Sequence, residues 1–142
     1  MNDTVRRAQQ SISTPVPEIS GYAGGQVYQA IAFLTRQEEA AVEKWIPDGC
    51  RFARWCESGV DIISDQGGKA EGIQYFCNLY GIAQNETMAF GDAENDIDML
   101  KAAGIGIAMG NSVDSVRKSA DYVTNDVDDS GIANALSYFH VI

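Results

Sequence analysis

The chain has 142 residues, with ten Lys and Arg against twenty Asp and Glu, one His and a formal net charge of −10. That length fits one domain, or one modest domain with part of another. The anionic balance argues against a nucleic-acid duplex or an anionic membrane as the main partner, since both repel a net anion. The charge is also uneven: residues 1–60 hold seven acids and six bases (net −1), and residues 61–142 hold thirteen acids and four bases (net −9). A metal cation is therefore to be sought in the second half. Cys50, Cys56 and Cys77 are odd in number and form no C-x-x-C pair, which argues against a disulfide framework or a Cys-based zinc site and for a reduced, cytoplasmic protein. No apolar stretch follows Arg6 and Arg7 as in a signal peptide, and no run approaches the length needed to cross a bilayer.

The first twenty residues are weakly patterned, and Pro15 and Pro17 oppose regular structure across them. Gln26 to Leu34 is apolar and rich in β formers, which predicts a strand. Arg36 to Ile46 groups Ala40, Ala41, Val42, Trp45 and Ile46 at helical spacing, and Pro47-Asp48-Gly49 stops it. Arg51 to Cys56 and Val60 to Ile63 read as two strands joined by a tight turn at Glu57-Ser58-Gly59. This is an α+β layer, and Trp45 and Trp55 are expected in its core.

After Gly67-Gly68 the rhythm changes. Lys69 to Tyr80 is helical, with Ile73, Phe76, Cys77 and Tyr80 on one face and Gly81 as its stop. Thr87 to Phe90 is a short buried strand, Glu94 to Ala103 a helix, and Ile105 to Met109 a strand. Val113 to Ala120 is a helix, Tyr122 to Thr124 a strand, and Gly131 to Phe139 a last helix. Alternating helix and strand imply parallel pairing by right-handed crossovers. The expected fold is α/β, part of a doubly wound, Rossmann-like parallel sheet over residues 65–142. Residues 1–64 form the separate α+β piece, with an irregular N-terminus. The lone His140 lies between apolar Phe139 and Val141, where a structural or exposed role is expected.

The densest chemistry lies in Gly91-Asp92-Ala93-Glu94-Asn95-Asp96-Ile97-Asp98, where four carboxylates fall within seven residues directly after a buried strand. Ligands of open α/β sheets bind at the carboxyl ends of the strands. Asp92 sits at such an end, and Asp96, four residues on, can turn back toward the same point. Mg²⁺ takes one or two carboxylates and keeps water and phosphate for the rest of its shell. Acids in a first helical turn also complement the helix dipole, which accounts for Glu94 and Asp98 without a ligand. Lys69 enters a helix after a glycine pair, where a cation is unfavourable. Such a lysine can hold a phosphate oxygen or restrain a carboxylate. A P-loop is excluded because Ala70 stands where Ser or Thr is needed. The Gly104–Gly110 run follows a helix and not a strand, so it is no dinucleotide fingerprint.

Together, GDAENDIDML, the lysine of GGKAEGI and the run AGIGIAMGNSVDSVRKSADYVTNDVDDSGIANAL resemble the haloacid dehalogenase (HAD) superfamily, specifically its Cof-type sugar-phosphatase branch. The resemblance is close over about residues 50–142 and looser over 20–50, which look like the end of the cap inserted into such cores. It implies a Mg²⁺ cofactor, with Asp92 as metal ligand and Asp96 supporting the metal site. Lys69 would bind phosphate and orient the nucleophile, and Asn95 would contact the substrate phosphate. The implied reaction transfers a phosphoryl group from a small phosphorylated metabolite, such as a sugar phosphate, to an aspartate, and then hydrolyses the aspartyl phosphate. That aspartate belongs to a D-x-D-G-[TS] motif, which occurs nowhere in the 142 residues. Asp126-Val127-Asp128-Asp129-Ser130 shares its D-x-D spacing but reads as a solvated acidic loop. The expectation is thus the C-terminal half of a phosphohydrolase, inactive alone. It would cover its open sheet edge by self-association or with a complementary N-terminal half. The alternative is a non-catalytic module binding Mg²⁺, phosphate or a protein.

Overall fold

The computed structural model describes residues 3–11, 13–15, 18 and 20–142. They divide into two compact units, Met1–Asp65 and Gln66–Ile142.

The first unit begins with a helix, α1 (Asp3–Ser11), where the sequence suggested irregular chain. Arg6, Arg7, Ala8, Gln9 and Gln10 are all strong helix formers. Ala8 is buried, and Pro15 lies beyond the helix end. Pro17 falls outside the described residues. Strand β1 (Ala30–Ala32) is shorter than the apolar run around it. It pairs antiparallel with β3 (Gly59–Ser64) at Ala30↔Ile62 and Ala32↔Val60, and the carbonyl of Leu34, two residues on, is taken by Arg54. Helix α2 (Arg36–Val42) starts from a full capping box. The Thr35 N–H donates to Glu38 Oε2 at 2.9 Å, while the Glu38 N–H donates to Thr35 Oγ1. The bond from the Thr35 backbone, then that from its hydroxyl, holds the Glu38 carboxyl below its ordinary value. A single 3₁₀ turn, Glu43–Trp45, ends the helical segment ahead of Pro47.

Strand β2 (Cys50–Cys56) completes the antiparallel sheet, in the order β1-β3-β2. A register shift between Arg54 and Cys56 bends the hairpin. Trp55 lies against Gly59, where a Cβ would stand 2.4 Å from the indole ring. Trp45, expected in the core, is instead exposed, with the Lys44 ammonium 5.2 Å from its ring centroid. The 3₁₀ turn rotates it off the apolar stripe that a continuous helix to Ile46 would have given. Arg54 ties the unit together. Its buried guanidinium bonds Glu39 of α2 and donates to the carbonyls of Leu34 (2.9 Å), Cys56 (2.8 Å) and Glu57 (2.8 Å).

The second unit is α/β. Helix α3 (Lys69–Tyr80) is stopped by Gly81, whose left-handed φ of 68° turns the chain so that the next N–H, that of Ile82, donates back to the Cys77 carbonyl at 2.9 Å. Ile73 and Cys77 are partly buried, but Phe76 and Tyr80 of the same stripe are exposed and stacked on each other. Then follow β4 (Met88–Gly91), a 3₁₀ turn at Glu94–Asp96, α4 (Ile97–Ala102), β5 (Ile105–Ala108), α5 (Asp114–Arg117), β6 (Tyr122–Val123) and α6 (Gly131–Tyr138). The strands are all parallel, in the order β4-β5-β6, with Ala89↔Gly106 and Ile107↔Tyr122 in register. Ala89, Leu100, Ala103, Ala108 and Val116 form the core, flanked by Ile73, Ile97, Met99 and Ala120. Gly106 permits the close seat of α4 on the sheet, because a Cβ there would lie 2.3 Å from the Leu100 carbonyl oxygen. His140 is exposed.

Arg54→Ala would leave a carboxylate and three carbonyls without their donor. We expect it to lower stability by about 3 kcal/mol, as loss of one partner from a buried pair does. Urea unfolding followed by Trp fluorescence measures this, and a loss below about 1 kcal/mol would mean that the network contributes no more than a surface ion pair.

Candidate active site

The parallel sheet presents the carboxyl ends of β4, β5 and β6 side by side, and the loops leaving them build one groove. Lys69, Gly91, Asp92, Asp96, Asn111 and Val127 are among the residues lining its roughly 380 Å³. Lys69, Asp92, Asp96 and Asn111 carry polar side chains, and Gly91 ends β4.

Its foundation is the turn from Asp92 to Asp96. The chain leaves β4 at Gly91, makes one 3₁₀ turn over Glu94–Asp96 and enters α4. Asp96 folds back under the turn it ends. Its Oδ2 accepts the backbone N–H groups of Asp92 (3.0 Å) and Ala93 (3.1 Å). The Asp96 N–H in turn donates to the Ala93 carbonyl at 2.9 Å. The remaining oxygen, Oδ1, pairs with the Lys69 ammonium at the start of α3. Asp96 is 5% exposed, so its charge is balanced inside the protein by these donors. Gly91 makes the fold-back possible by its size: a Cβ there would stand 2.5 Å from the Asp96 Cβ. Lys69 is half exposed, so its ammonium touches both the buried carboxylate and the open groove. The unfavourable place of a cation at a helix start is thus offset by a carboxylate from another element.

Asp92 is exposed at the strand end, and its Oδ2 accepts a hydrogen bond of 3.2 Å from Asn111 Nδ2. Asn111 was missed by the sequence reading. It lies three residues past the end of β5, and Asp92 lies directly past β4, so the same strand-end rule, applied to the loop after the next strand, points to it. Asn95 stands apart from its neighbours: it does not line the groove, and its Oδ1 is buried without a hydrogen-bond partner. The acidic segment after β6 is a single exposed 3₁₀ turn, Val127–Asp129, capped by Asp126 Oδ1 accepting from the Asp128 N–H. No strand of this unit leads directly into Asp126, as the sequence suggested.

Among the described residues, no three His, Cys, Asp or Glu cluster so as to hold a metal by themselves. The donor set fits Mg²⁺ as part of a shell. Asp92 offers one hard oxygen donor, in keeping with an ion that takes one or two carboxylates and fills the rest with water and phosphate. Both oxygens of Asp96 are engaged, so it fits as a support of the turn.

A parallel sheet with Asp92 at the carboxyl end of β4 and the Lys69–Asp96 pair beside it defines an α/β protein, of the kind whose ligands bind at the carboxyl edge of the sheet. The model of the haloacid dehalogenase-like hydrolase family matches residues 3–136, and the chain belongs to that family. It is 37% identical over 128 residues to YkrA of Bacillus subtilis (strain 168), which carries a provisional phosphatase name, covering 89% of this chain and 49% of YkrA. BT1666 of Bacteroides thetaiotaomicron, described among phosphatases of the haloalkanoate (HAD) superfamily, superposes with a TM-score of 0.87 at 35% identity. That match covers all of this chain and 54% of BT1666. BT4131, described as a HAD subclass IIB sugar phosphatase, gives a TM-score of 0.79 at 40% identity over 83% of this chain and 45% of its own. The chain thus spans about half the length of each of these relatives.

Asp96→Ala would leave two backbone N–H groups unmet beneath the turn, while Lys69, half exposed, could turn to water. We expect a loss of about 2–3 kcal/mol, near the cost of orphaning two buried donors, with Gly91→Ala close to it. Urea unfolding monitored by circular dichroism reads both. Losses under about 0.5 kcal/mol would show that the turn is held by other means.

Proposed function

We propose that the chain carries the metal- and phosphate-binding side of the active site of a Mg²⁺-dependent, Cof-type phosphohydrolase acting on small phosphorylated metabolites such as sugar phosphates. The single observation that carries this reading is the joint placement of Asp92 and the Lys69–Asp96 pair on one groove at the carboxyl end of β4. In it, Asp92 ligates Mg²⁺, which when bound supplies charge stabilisation to a phosphoryl group. Lys69 holds a phosphate oxygen and orients the nucleophile, and Asp96 fixes both the lysine and the Asp92 backbone. Asn95 contacts the phosphate only after its side chain turns from the buried position it occupies here. The sugar-phosphate assignment draws on the similarity to BT4131.

The covalent step needs an aspartate nucleophile, and no D-x-D-G-[TS] sequence is present in the 142 residues. We therefore assign binding to these residues and hydrolysis to their combination with a segment that brings that motif. Among the described residues β4 pairs only with β5, and we propose that its outer edge is covered by a second copy or by such a complementary N-terminal half. The free cysteines Cys50, Cys56 and Cys77 suit a reducing cytoplasm. Among the described residues no helix is long and apolar enough to cross a membrane.

Calorimetry tests the reading on the chain as it stands. Mg²⁺ binding is expected to be lost in Asp92→Asn and inorganic phosphate binding in Lys69→Ala. Hydrolysis of an aryl phosphate should be absent until a polypeptide carrying the D-x-D-G-[TS] strand is added. Equal uptake of both ions by all three proteins would contradict the site. A clean monomer by light scattering at micromolar concentration would contradict self-association.

A further inference from the structure

The loop that leaves β5 is bound on both sides by neighbouring strand ends. The Met109 N–H donates to the Gly91 carbonyl (2.9 Å) on the β4 side, and the Gly110 N–H to the Asn125 carbonyl (2.9 Å) on the β6 side. Gly110 is held against the β6 side so closely that a Cβ there would lie 2.5 Å from the Asp126 nitrogen. Beyond these two bonds the backbone ladder ends. The side chain of Asn111 adds one more rung: its Nδ2 donates to Asp92 Oδ2 at 3.2 Å, and its Oδ1 accepts the Val127 N–H at 3.3 Å. The amide thus bridges the same two sides as the backbone bonds, its NH₂ toward the residue after β4 and its oxygen toward the turn after β6. The orientation is fixed by chemistry, because a backbone N–H can only donate, so the amide oxygen must face Val127 and the NH₂ must face Asp92.

We propose that Asn111 is a positioning residue for the metal ligand, holding the Asp92 carboxylate in the orientation that binds a divalent cation and linking that orientation to the turn after β6. The inference rests on the reading of Asp92 as the metal ligand. A donor on one carboxylate oxygen removes rotational freedom from an exposed side chain and leaves the other oxygen to the cation. Hydrogen-bond partners of a ligand commonly set metal affinity in this way. The Val127 N–H acts at one remove, since it prevents the amide from presenting its oxygen to Asp92, where two acceptors would repel. Arg117 of α5, whose guanidinium donates to the Gly110 carbonyl, secures the same loop from its other side.

Two variants separate positioning from general support. Asn111→Ala removes both bonds. Val127→Pro removes the N–H that orients the amide and keeps an apolar side chain of similar size at that place in the groove lining. Pro is tolerated at the first position of a helical turn, and Asp126 before it already has the ψ of 158° that a following Pro requires. The readouts are Mn²⁺ binding by electron paramagnetic resonance, used as the probe cation, and metal-free binding of inorganic phosphate by calorimetry. Asn111→Ala is expected to weaken Mn²⁺ binding by about tenfold or more, and Val127→Pro less but in the same direction. Phosphate affinity, which belongs to Lys69, should be unchanged in both. Unchanged Mn²⁺ affinity in both variants overturns the proposal, and so does a parallel loss of Mn²⁺ and phosphate binding, which would mark a purely structural role. Failure of the unsubstituted chain to bind Mn²⁺ overturns the metal reading itself, and this inference with it.

Discussion

The fold-back of Asp96 onto the turn that contains Asp92 is the constraint on which the rest of the site depends. One buried carboxylate meets three donors: two backbone N–H groups of the turn and the ammonium of Lys69. These bonds do three things at once. They close the single 3₁₀ turn, they set Asp92 at the strand end, and they give α3 a fixed register relative to β4 through Lys69. Gly91 is the steric condition for all of it. A carboxylate in so protected a place is unfavourable unless its oxygens are filled, so the charge enforces the geometry instead of merely decorating it.

Close backbone approach recurs through the second unit for the same reason. Gly106 lets α4 press its carbonyls on β5, and Gly110 lets the β5 loop touch the segment after β6. The three strand ends are thereby brought near enough for a side chain as short as Asn111 to reach across them. The first unit is organised differently, around a guanidinium. Arg54 collects the Glu39 carboxylate of α2, the Leu34 carbonyl beyond β1, and the Cys56 and Glu57 carbonyls at the end of its own strand and in the hairpin turn. The two ion pairs also differ in kind. Arg54 is 5% exposed at its side chain, whereas Lys69 is 49% exposed. Water therefore screens the second much more, in keeping with the phosphate-binding role proposed for Lys69.

The elements of the second unit were largely legible because each is punctuated. Lys69 to Tyr80 forms the helix that its glycine flanks imply, and the short apolar runs become strands within a residue or so of their predicted ends. The return of Asp96 onto Asp92 was legible from spacing, since four residues carry a side chain back over one turn, whereas its pairing with Lys69 joins residues 27 apart in sequence. Asn111 was not legible, because a lone Asn in a loop has no periodic signature, and its meaning comes from two strands distant in sequence. The burial of the Asn95 carbonyl oxygen was equally invisible, as it depends on how the turn packs.

Two of the errors in the first unit come from inferring tertiary placement from local pattern, and a third from passing over local helix preference. The run from Gln26 to Leu34 has strand propensity throughout, but only Ala30–Ala32 forms a strand. Trp45 is apolar and sits at helical spacing, yet the helix tightens to a 3₁₀ turn before it and turns it to solvent. Residues 3–11 were read as irregular for want of apolar periodicity, although their intrinsic helix preference was strong.

The central claim is that Asp92 is a cation ligand at the junction of three strand ends, and paramagnetic broadening of amide signals by Mn²⁺ tests it directly. The account predicts that signals of Gly91, Asp92, Ala93 and Asn111 fade first, with Val127 close behind, at substoichiometric metal. Broadening centred instead on the exposed acids Asp128 and Asp129, or spread evenly over acidic surface residues, would contradict it.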